Sequence, residues 1–444
     1  MNETVLYVVG ILIMVFGIAL SIGLHEFGHL IPAKIFGVRV PNWAIGFGPK
    51  LFAKKFGETE YSVRLIPLGG YITLIGMYPP ENPAKPDQNR PFAAMIKSAR
   101  EAHSEHVRPG DETRMFYQLP AYKRIIVMLG GPLTNLLLGV LLISSALVLV
   151  GQPQRVNQID SVVECVEQMI DPEAGCSASS TQTPAFLAGL QAGDRITAVN
   201  GSELAIAEDF FSTKMAFTTE AEAAAVVFDL TVDRGGEPLQ FSLSPALAAL
   251  PYATSDGKLA VDASGQPLLK DRGYLGVRWA TDRVPVGLDT ALQASFEMTN
   301  QTLGFIVQFP VAVYDSVASV FDGSKRAGDS AISIVGIGQI AGQANADQGA
   351  TFEDRVYLNL MLLGSLNLAL FAFNMIPLPP LDGGHVAGGV YEYLKRGVWR
   401  LMGKKDPGSI DTALMAPVSG VMFLLLLLAG VAMILVDIVN PVGL

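Results

Sequence analysis

Four long apolar stretches dominate this sequence, and none of them contains a charged residue: residues 5–24, 125–150, 356–376 and 413–436. A helix needs roughly 20 apolar residues to cross the hydrocarbon core of a bilayer, so each stretch is long enough to span it. Half of all residues are hydrophobic and 16% are charged, and the net charge of −10 argues against a nucleic-acid-binding protein. The sequence therefore predicts a polytopic α-helical membrane protein with four transmembrane helices.

Positively charged residues cluster beside two of the three connections between these stretches. Cytoplasmic loops carry an excess of lysine and arginine close to the ends of transmembrane helices. These basic residues are Lys34, Arg39, Lys123 and Arg124 at the first connection and Lys395, Arg396, Arg400, Lys404 and Lys405 at the third. We therefore expect loops 37–122 and 391–412 in the cytoplasm, and both termini and the acidic region 151–350 outside it.

The region outside the membrane has the sequence of a folded domain. Residues 189–201 read GLxxGDxIxxVNG, and two alternating strands follow around a turn at Arg234. This pattern resembles the PDZ domains of bacterial membrane proteases, whereas the alternative is another small β-rich domain. The resemblance implies a peptide-binding groove, which we place at Leu187, Gly189, Leu190 and Gly193.

Both cysteines, Cys165 and Cys176, belong to this outer domain, in a stretch (160–182) that has the character of an insertion. A disulfide is stable outside the cytoplasm, although two unpaired buried cysteines are the alternative. We favour the disulfide.

Residues 283–354 include an amphipathic stretch, and we expect them to form an interfacial or linker region outside the cytoplasm.

The first apolar stretch runs into a motif that carries chemistry, His25-Glu26-Phe27-Gly28-His29. Residues four apart share one face of a helix, so both imidazoles can reach one Zn²⁺ while Glu26 takes a proton from water. The alternative is a pair of histidines hydrogen-bonded inside a helix bundle. Ionisable groups at membrane depth are costly and are usually functional, which favours zinc.

A catalytic zinc ion normally has three protein ligands, so the sequence must supply one more. His103 and His106 lie in a charged, solvated stretch, and His385 follows a better candidate, Asp382. The segment around Asp382 contains three prolines and ends the third apolar stretch. Non-helical backbone at that depth is tolerated where it is buried or lines a wet cavity, so we predict Asp382 as the third ligand of one Zn²⁺ per chain. A helix-terminal turn residue is the alternative.

Three motifs in this order, HEFGH, GPLTN and NMIPLPPLDG, resemble those of the site-two protease family of intramembrane zinc proteases. The likeness is greatest to the bacterial branch with four spans and an external PDZ domain, and it covers nearly the whole chain. It implies the following roles: His25, His29 and Asp382 ligate zinc, Glu26 is the general base, and Asn135 and Asn374 support the substrate or its carbonyl oxygen. An interhelical hydrogen bond is the alternative for Asn135.

Residues 61–76 of the first cytoplasmic loop mix aromatic and β-branched residues with two glycines. The family resemblance implies a membrane-associated β-hairpin here, and the candidate positions are Tyr61, Gly69, Gly70 and Tyr71. A substrate helix must unwind before attack, and an open strand edge can accept the unwound segment by β-addition. An ordinary surface sheet is the alternative.

The resemblance implies an enzyme that cleaves single-span membrane proteins in the bacterial cytoplasmic membrane, after a first cut by another protease. Anti-sigma factors and signal-peptide remnants are substrates of this class. Two other functions stay open: a membrane-anchored zinc protease acting on soluble substrates, and a non-enzymatic PDZ scaffold. The predicted segments are transmembrane helices at 1–36, 123–151, 355–390 and 413–437, cytoplasmic loops at 37–122 and 391–412, the PDZ domain at 152–282 and the amphipathic region at 283–354.

Overall fold

A computed structural model of the chain describes residues 2–83, 86–87, 90–104, 106–170, 175–204, 207–215, 217, 219–252, 260, 267–324, 326 and 330–442. Within these ranges the helices are α1 (Glu3–Ile35), α2 (Ala93–Ser104), α3 (Ala121–Ser145), α4 (Val166–Ile170), α5 (Pro184–Ala188), α6 (Ala207–Lys214), α7 (Glu220–Ala224), α8 (Leu288–Asp322), α9 (Ile334–Ala346), α10 (Phe352–Asn374), α11 (Asp382–Leu401) and α12 (Ala416–Val439). The strands are β1 (Asn42–Phe56), β2 (Thr59–Ile72), β3 (Gln152–Val162), β4 (Arg195–Val199), β5 (Ser202–Glu203), β6 (Phe228–Arg234), β7 (Glu237–Leu243), β8 (Ala246–Pro251), β9 (Leu269–Tyr274) and β10 (Val277–Val284).

The chain divides into two compact units, one made of Met1–Gly151 with Pro285–Leu444 and the other of Gln152–Val284. In the described part of the first unit, five helices are long and apolar enough to cross a membrane. Four of them overlap most of the predicted apolar stretches. The fifth is α8. Its longest uncharged run lies between Glu297 and Asp315 and is shorter than the uncharged runs of the other four helices. The protein is thus a membrane protein with several apolar helices and additional β-sheet.

Small residues bring the helices of the first unit together. A methyl group added to Gly10 of α1 would lie 2.5 Å from the Ala341 carbonyl oxygen of α9. On α3, a methyl group at Gly139 would lie 3.1 Å from the Gly364 carbonyl oxygen of α10. Lipid offers no hydrophobic driving force for helix association, so close backbone packing of this kind holds such helices together.

Strands β1 and β2, between α1 and α3, form a sheet in which more segments lie side by side than in a simple two-stranded hairpin. Residues 50–56 pair with 59–64, and residues 42–45 lie between 60–63 and 70–72, since Ala44 is opposite both Ser62 and Tyr71. The chain bends after residue 45 at Gly46 and Gly48, whose positive φ angles of 83° and 85° suit glycine. Residues 70–72 therefore form an edge of this sheet.

This sheet packs on the helices through an apolar core, and a buried ion pair joins the segment before β1 to the loop before α3. Trp43 and Ile75 pack with Leu30 of α1 and Val127 of α3. Arg39 donates from Nε to both carboxylate oxygens of Asp111 at 2.9 Å, and both residues are buried. Burial raises the pKa of Asp111, but its hydrogen bonds with Arg39 outweigh that effect, and the pKa lies below its usual range.

The second unit is built on a sheet in the strand order β10-β3-β4-β6-β7, with β5 beside β4 and a separate pair β8-β9. Its core contains Ile159, Ile196, Leu230 and Val232. A disulfide joins Cys165 and Cys176. The unit is β-rich, and its boundaries of 152 and 284 lie close to those expected for the predicted PDZ domain.

Candidate metal centre

Three side chains from two helices converge on one point in the first unit. Nε2 of His25 lies 3.2 Å from Nε2 of His29, and Oδ2 of Asp382 lies 3.2 Å from the first nitrogen and 3.3 Å from the second. The three atoms form a nearly equilateral triangle. These residues are the one His/Cys/Asp/Glu group in the described part of the chain that is arranged to hold a metal ion.

Helix α1 presents the two histidines on one face because they are one turn apart. Both rings are buried. Nδ1 of His29 lies 2.8 Å from the Val127 carbonyl oxygen of α3. A carbonyl oxygen only accepts, so Nδ1 carries the proton and the lone pair of Nε2 is left to face the triangle.

One face of α3 runs along these histidines. Val127, Gly131 and Asn135 follow each other at intervals of four residues, and they lie in turn beside His29, beside both histidines and beside His25. The GPLTN motif supplies the second and third of these positions. Its glycine matters because a methyl group at Gly131 would lie 2.2 Å from Nε2 of His29 and 2.7 Å from Nε2 of His25.

Asp382 stands directly after a short non-helical segment between α10 and α11. Helix α10 ends at Asn374, inside the segment predicted as one helix at 355–390, and α11 begins at Asp382 itself. A methyl group on Gly383 would lie 2.3 Å from the Ile376 carbonyl oxygen, so the start of α11 packs directly on this turn. The prolines between the two helices exclude a continuous helix.

The triangle has the dimensions of a tetrahedral zinc site. Ligand atoms about 2.05 Å from Zn²⁺ at tetrahedral angles are separated from each other by about 3.3 Å. The three separations of 3.2–3.3 Å match this value, and two neutral imidazoles with one carboxylate are a donor set that zinc takes. Oδ2 of Asp382 is buried and has no hydrogen-bond partner among the described residues, as expected of a ligand atom. The residues present therefore fit the ion.

Glu26 lies between the histidines and the edge of the sheet. Its carboxylate faces the backbone N–H of Ile72, and a methyl group at Gly70 would lie 3.0 Å from its Cγ. The N–H of Thr73 points the other way, to the Asn42 carbonyl oxygen at 3.0 Å. Because successive N–H groups of a strand alternate in direction, Ile72 exposes its N–H at the edge that faces the metal centre.

The other predicted residues of the sheet flank its central segment, since Trp43 is opposite Tyr61 and Ala44 is opposite Tyr71. Tyr61 stacks on Phe27 with ring centroids 6.1 Å apart, and its hydroxyl accepts a hydrogen bond from Lys34. Gly69 has a φ of 103° and packs on Phe47, whose ring also stacks on Tyr71. The described partners of the two tyrosines are thus aromatic and basic side chains.

The two predicted asparagines have different surroundings. The side-chain nitrogen of Asn135 lies 3.1 Å from Nδ1 of His25, and the residue is fully buried. Asn374, the last residue of α10, donates its amide hydrogen to the Leu370 carbonyl oxygen at 3.0 Å. The structure therefore brings Asn135, but not Asn374, into contact with a member of the triangle.

The second unit contains a cavity of about 450 Å³. Its lining includes Arg155, Phe211, Leu275, Val277, Arg278 and Trp279. The positions predicted for a peptide groove lie elsewhere: Leu190 is a core residue, Leu187 is 68% exposed, and Gly189 and Gly193 have positive φ angles in turns. None of these four residues is among those that line the cavity.

Comparison with known proteins identifies related sequences over nearly the whole chain. A family model described as Peptidase family M50 matches residues 13–405. Zinc metalloprotease Rip1 of Mycobacterium tuberculosis is 26% identical over 446 residues, which cover 99% of both chains. Metalloprotease MmpA of Caulobacter vibrioides is 28% identical over 405 residues, which cover 86% of this chain and 87% of the relative.

Proposed function

Because this chain belongs to peptidase family M50, it is a zinc metalloprotease, and we propose that it hydrolyses peptide bonds within the transmembrane segments of single-span membrane proteins. One observation carries the proposal: a ligand triangle with zinc dimensions is built from α1, a helix apolar enough to cross a membrane, and from the turn at the end of α10, another such helix. A metal centre held by two such helices would lie at the same depth in the membrane as the transmembrane segments that it cleaves.

His25, His29 and Asp382 would hold the zinc ion, which supplies a Lewis acid for the scissile carbonyl group and lowers the pKa of a water molecule. Glu26 takes the proton of the attacking water and later delivers it to the leaving amine, as a carboxylate beside the ligands can do. Burial of both histidines excludes bulk water from the ligand side of the reaction.

The substrate must lose its helical hydrogen bonds before its peptide bond is accessible. We propose that the unwound segment adds to the edge at residues 70–72, where Ile72 offers an outward N–H. Gly70 keeps this edge close to Glu26, since any side chain there would contact the Glu26 side chain. Ile72→Pro removes the outward N–H together with the isoleucine side chain, and we expect it to reduce cleavage while zinc content stays that of the parent.

The end of the same sheet around the β1–β2 turn, residues 50–59, has side chains suited to contact with lipid. Leu51, Phe52 and Phe56 are exposed, and Lys50 and Lys54 lie beside them. Apolar side chains that enter the interface, flanked by cations that attract anionic headgroups, suit the cytoplasmic surface of a membrane. This agrees with the proposed topology, in which both termini and the second unit are outside the cytoplasm of a bacterium and the protein spans the cytoplasmic membrane.

We propose further that the second unit is a PDZ domain that restricts cleavage to substrates already shortened by another protease. Two mechanisms are open: its cavity captures the new C-terminus, for which Arg278 offers a cation, or its bulk excludes large ectodomains. Substituting Leu275 or Arg278 abolishes cleavage of pre-cut substrates under the first mechanism. Deleting 152–284 admits uncut substrates under the second alone.

The direct experiment compares two reporters with the same cleavage sequence, one as a transmembrane segment in vesicles and one as a soluble peptide. Intramembrane proteolysis predicts that the membrane reporter is cleaved and that Glu26→Gln abolishes this. Cleavage of the soluble peptide alone would favour the membrane-anchored protease with soluble substrates. Full biological activity of Glu26→Gln would favour the non-enzymatic scaffold.

A further inference from the structure

Asn135 is buried completely, and its side-chain amide has one described partner. The nitrogen lies 3.1 Å from Nδ1 of His25, while the oxygen has no hydrogen-bond partner among the described residues. A buried amide oxygen without a donor costs roughly 1–3 kcal/mol, so it calls for an explanation.

This arrangement also places two hydrogen-bond donors, the Asn135 amide nitrogen and Nδ1 of His25, against each other. An imidazole that gives the Nε2 lone pair to a metal ion carries its proton on Nδ1, and a side-chain amide nitrogen carries hydrogens only. Rotating the Asn135 amide by half a turn exchanges its oxygen and nitrogen, which have nearly the same shape. The oxygen then accepts the Nδ1 proton of His25, so the donor–donor pair is removed and the oxygen gains a partner, while the amide nitrogen takes the position at which no partner is described.

His29 provides an independent precedent one turn away. Its Nδ1 lies 2.8 Å from the carbonyl oxygen of Val127 on the same face of α3. The two histidines of α1 would therefore be held in the same way, each with Nδ1 donating to an oxygen of α3 and Nε2 facing the ligand triangle. The acceptor for His29 is a backbone carbonyl oxygen, and the acceptor for His25 would be a side-chain oxygen.

We propose that Asn135 is a positioning residue whose side-chain oxygen accepts the Nδ1 proton of His25, and thereby fixes the ring and the tautomer that presents Nε2 to zinc. The inference rests on the proposed zinc site. It differs from a role in binding the substrate or its carbonyl oxygen, for which the amide nitrogen would have to be accessible. In this structure Asn135 has no exposed surface.

The test measures zinc affinity, by metal analysis and competition with a chelator, on the full chain purified in detergent. Asn135→Leu removes the acceptor at nearly the same volume, and Asn135→Asp keeps an oxygen acceptor. Loss of a group that orients a metal-binding histidine typically costs about 10–100-fold in metal affinity. We expect such a loss for Asn135→Leu and parent-like affinity for Asn135→Asp.

Asn367 of α10 offers a matched control. It is also fully buried, it donates to the Ser21 hydroxyl at 2.9 Å, and its oxygen likewise lacks a described partner. Asn367→Leu should lower thermal stability as Asn135→Leu does, but it should leave zinc affinity unchanged. The Co²⁺-substituted proteins add a spectroscopic measurement: the visible absorption bands should change in Asn135→Leu and persist in Asn135→Asp and Asn367→Leu.

Two outcomes would overturn the inference, and a third would reject the zinc site on which it rests. Parent-like zinc affinity in Asn135→Leu would show that His25 needs no acceptor from this residue. Equal loss in Asn135→Leu and Asn135→Asp would show that the oxygen is not what matters. Where Asn135→Leu fails to fold, loss of zinc affinity in Asn135→Asp relative to the parent would overturn the inference by itself. Absence of zinc binding by the parent itself would reject the proposed zinc site, which distinguishes that failure from failure of the present inference.

Discussion

Gly28 of α1 and Gly130 of α3 lie so close together that a methyl group on Gly130 would be 1.9 Å from the Gly28 carbonyl oxygen. This contact is next to His29, and it sets the distance between the two helices at the point where the metal ligands and the α3 face meet. Glycine is required at both positions because the backbones themselves are in contact. The ligand triangle therefore depends on backbone packing as well as on its three side chains.

The next glycine of α3 gives the first prediction. Gly131→Ala places a methyl group within 2.7 Å of both ligand nitrogens, so we expect loss of bound zinc and of cleavage. Gly139→Ala is the control on the same helix: its methyl group would contact Leu368 and the Gly364 carbonyl oxygen, away from the ligands. Overpacking there costs about 1–3 kcal/mol of stability but should leave zinc content unchanged. Stoichiometric zinc in Gly131→Ala would contradict the placement of the ion.

A buried ion pair gives the second prediction. Arg124 of α3 lies 2.5 Å from the carboxylate of Glu392 on α11, the helix that begins with Asp382. Removing one member of a buried pair costs about 3–5 kcal/mol where the other charge is left unpaired; here Glu392 keeps the partly exposed Arg396 at 3.3 Å and the Ile410 N–H at 2.9 Å, so the cost should lie at or below the lower end of this range. Arg124→Met should therefore lower the midpoint of thermal unfolding strongly, and adding Glu392→Met should restore part of the loss.

The control for this pair is Arg114→Met, which breaks a partly exposed pair with Glu58. Such surface pairs contribute about 0–1 kcal/mol. Equal unfolding midpoints for Arg124→Met and Arg114→Met would show that the Arg124–Glu392 pair does not hold α11 in place.

The disulfide of the second unit gives the third prediction. It links Cys165 and Cys176, which are 11 positions apart, and closing a loop of this size stabilises a fold by roughly 3 kcal/mol. Replacing both cysteines by serine should lower the hydrogen-exchange protection of peptides from 152–284. A reducing agent should produce the same loss in the parent and no further loss in the variant. Identical protection of parent and variant would mean that the link contributes no stability.

The fourth prediction concerns pH and Asp194, which is fully buried in the second unit. Burial raises the pKa of Asp194, but hydrogen bonds from Arg234 and the Gln191 amide, together with the charge of Arg234, hold that pKa below its usual range. Since the pKa is lower in the folded state, the pair stabilises the unit above the unfolded-state value of about 3.9. This contribution is lost as the pH falls through the folded-state pKa.

Arg234→Met should consequently reduce hydrogen-exchange protection of the second unit at pH 7, with parent and variant compared at the same pH. The difference between them should shrink below pH 4. A difference that stays constant or grows on acidification would contradict the assigned ion pair.

The sequence predicts the members of the ligand triangle because each is marked by a local pattern. The spacing of His25 and His29 is one helical turn, and the prolines before Asp382 force a turn at the end of an apolar stretch. The roles of Val127 and Gly131 are not readable in the same way. A backbone carbonyl has no residue-type signature, and the need for a glycine at position 131 arises only when α3 packs on α1.

Other differences have equally physical causes. Residues 42–45 lie in the middle of the first sheet, although the sequence signals for strands are strongest at 61–76, because pairing with both ends of β2 depends on the bend at Gly46. Helix α8 is long enough to cross a membrane, but charged residues interrupt its apolar run. In the second unit the repeated glycines near Leu190 form turns, and the cavity forms where distant strands meet.

The central claim is that one zinc ion is held jointly by α1 and the start of α11, and zinc content per chain tests it most directly. Metal analysis of the parent, Glu26→Gln and Asp382→Ala, each purified identically, should give one zinc per chain for the first two proteins and a strongly reduced content for the third, with Glu26→Gln inactive. One tightly bound zinc per chain in Asp382→Ala would contradict the account.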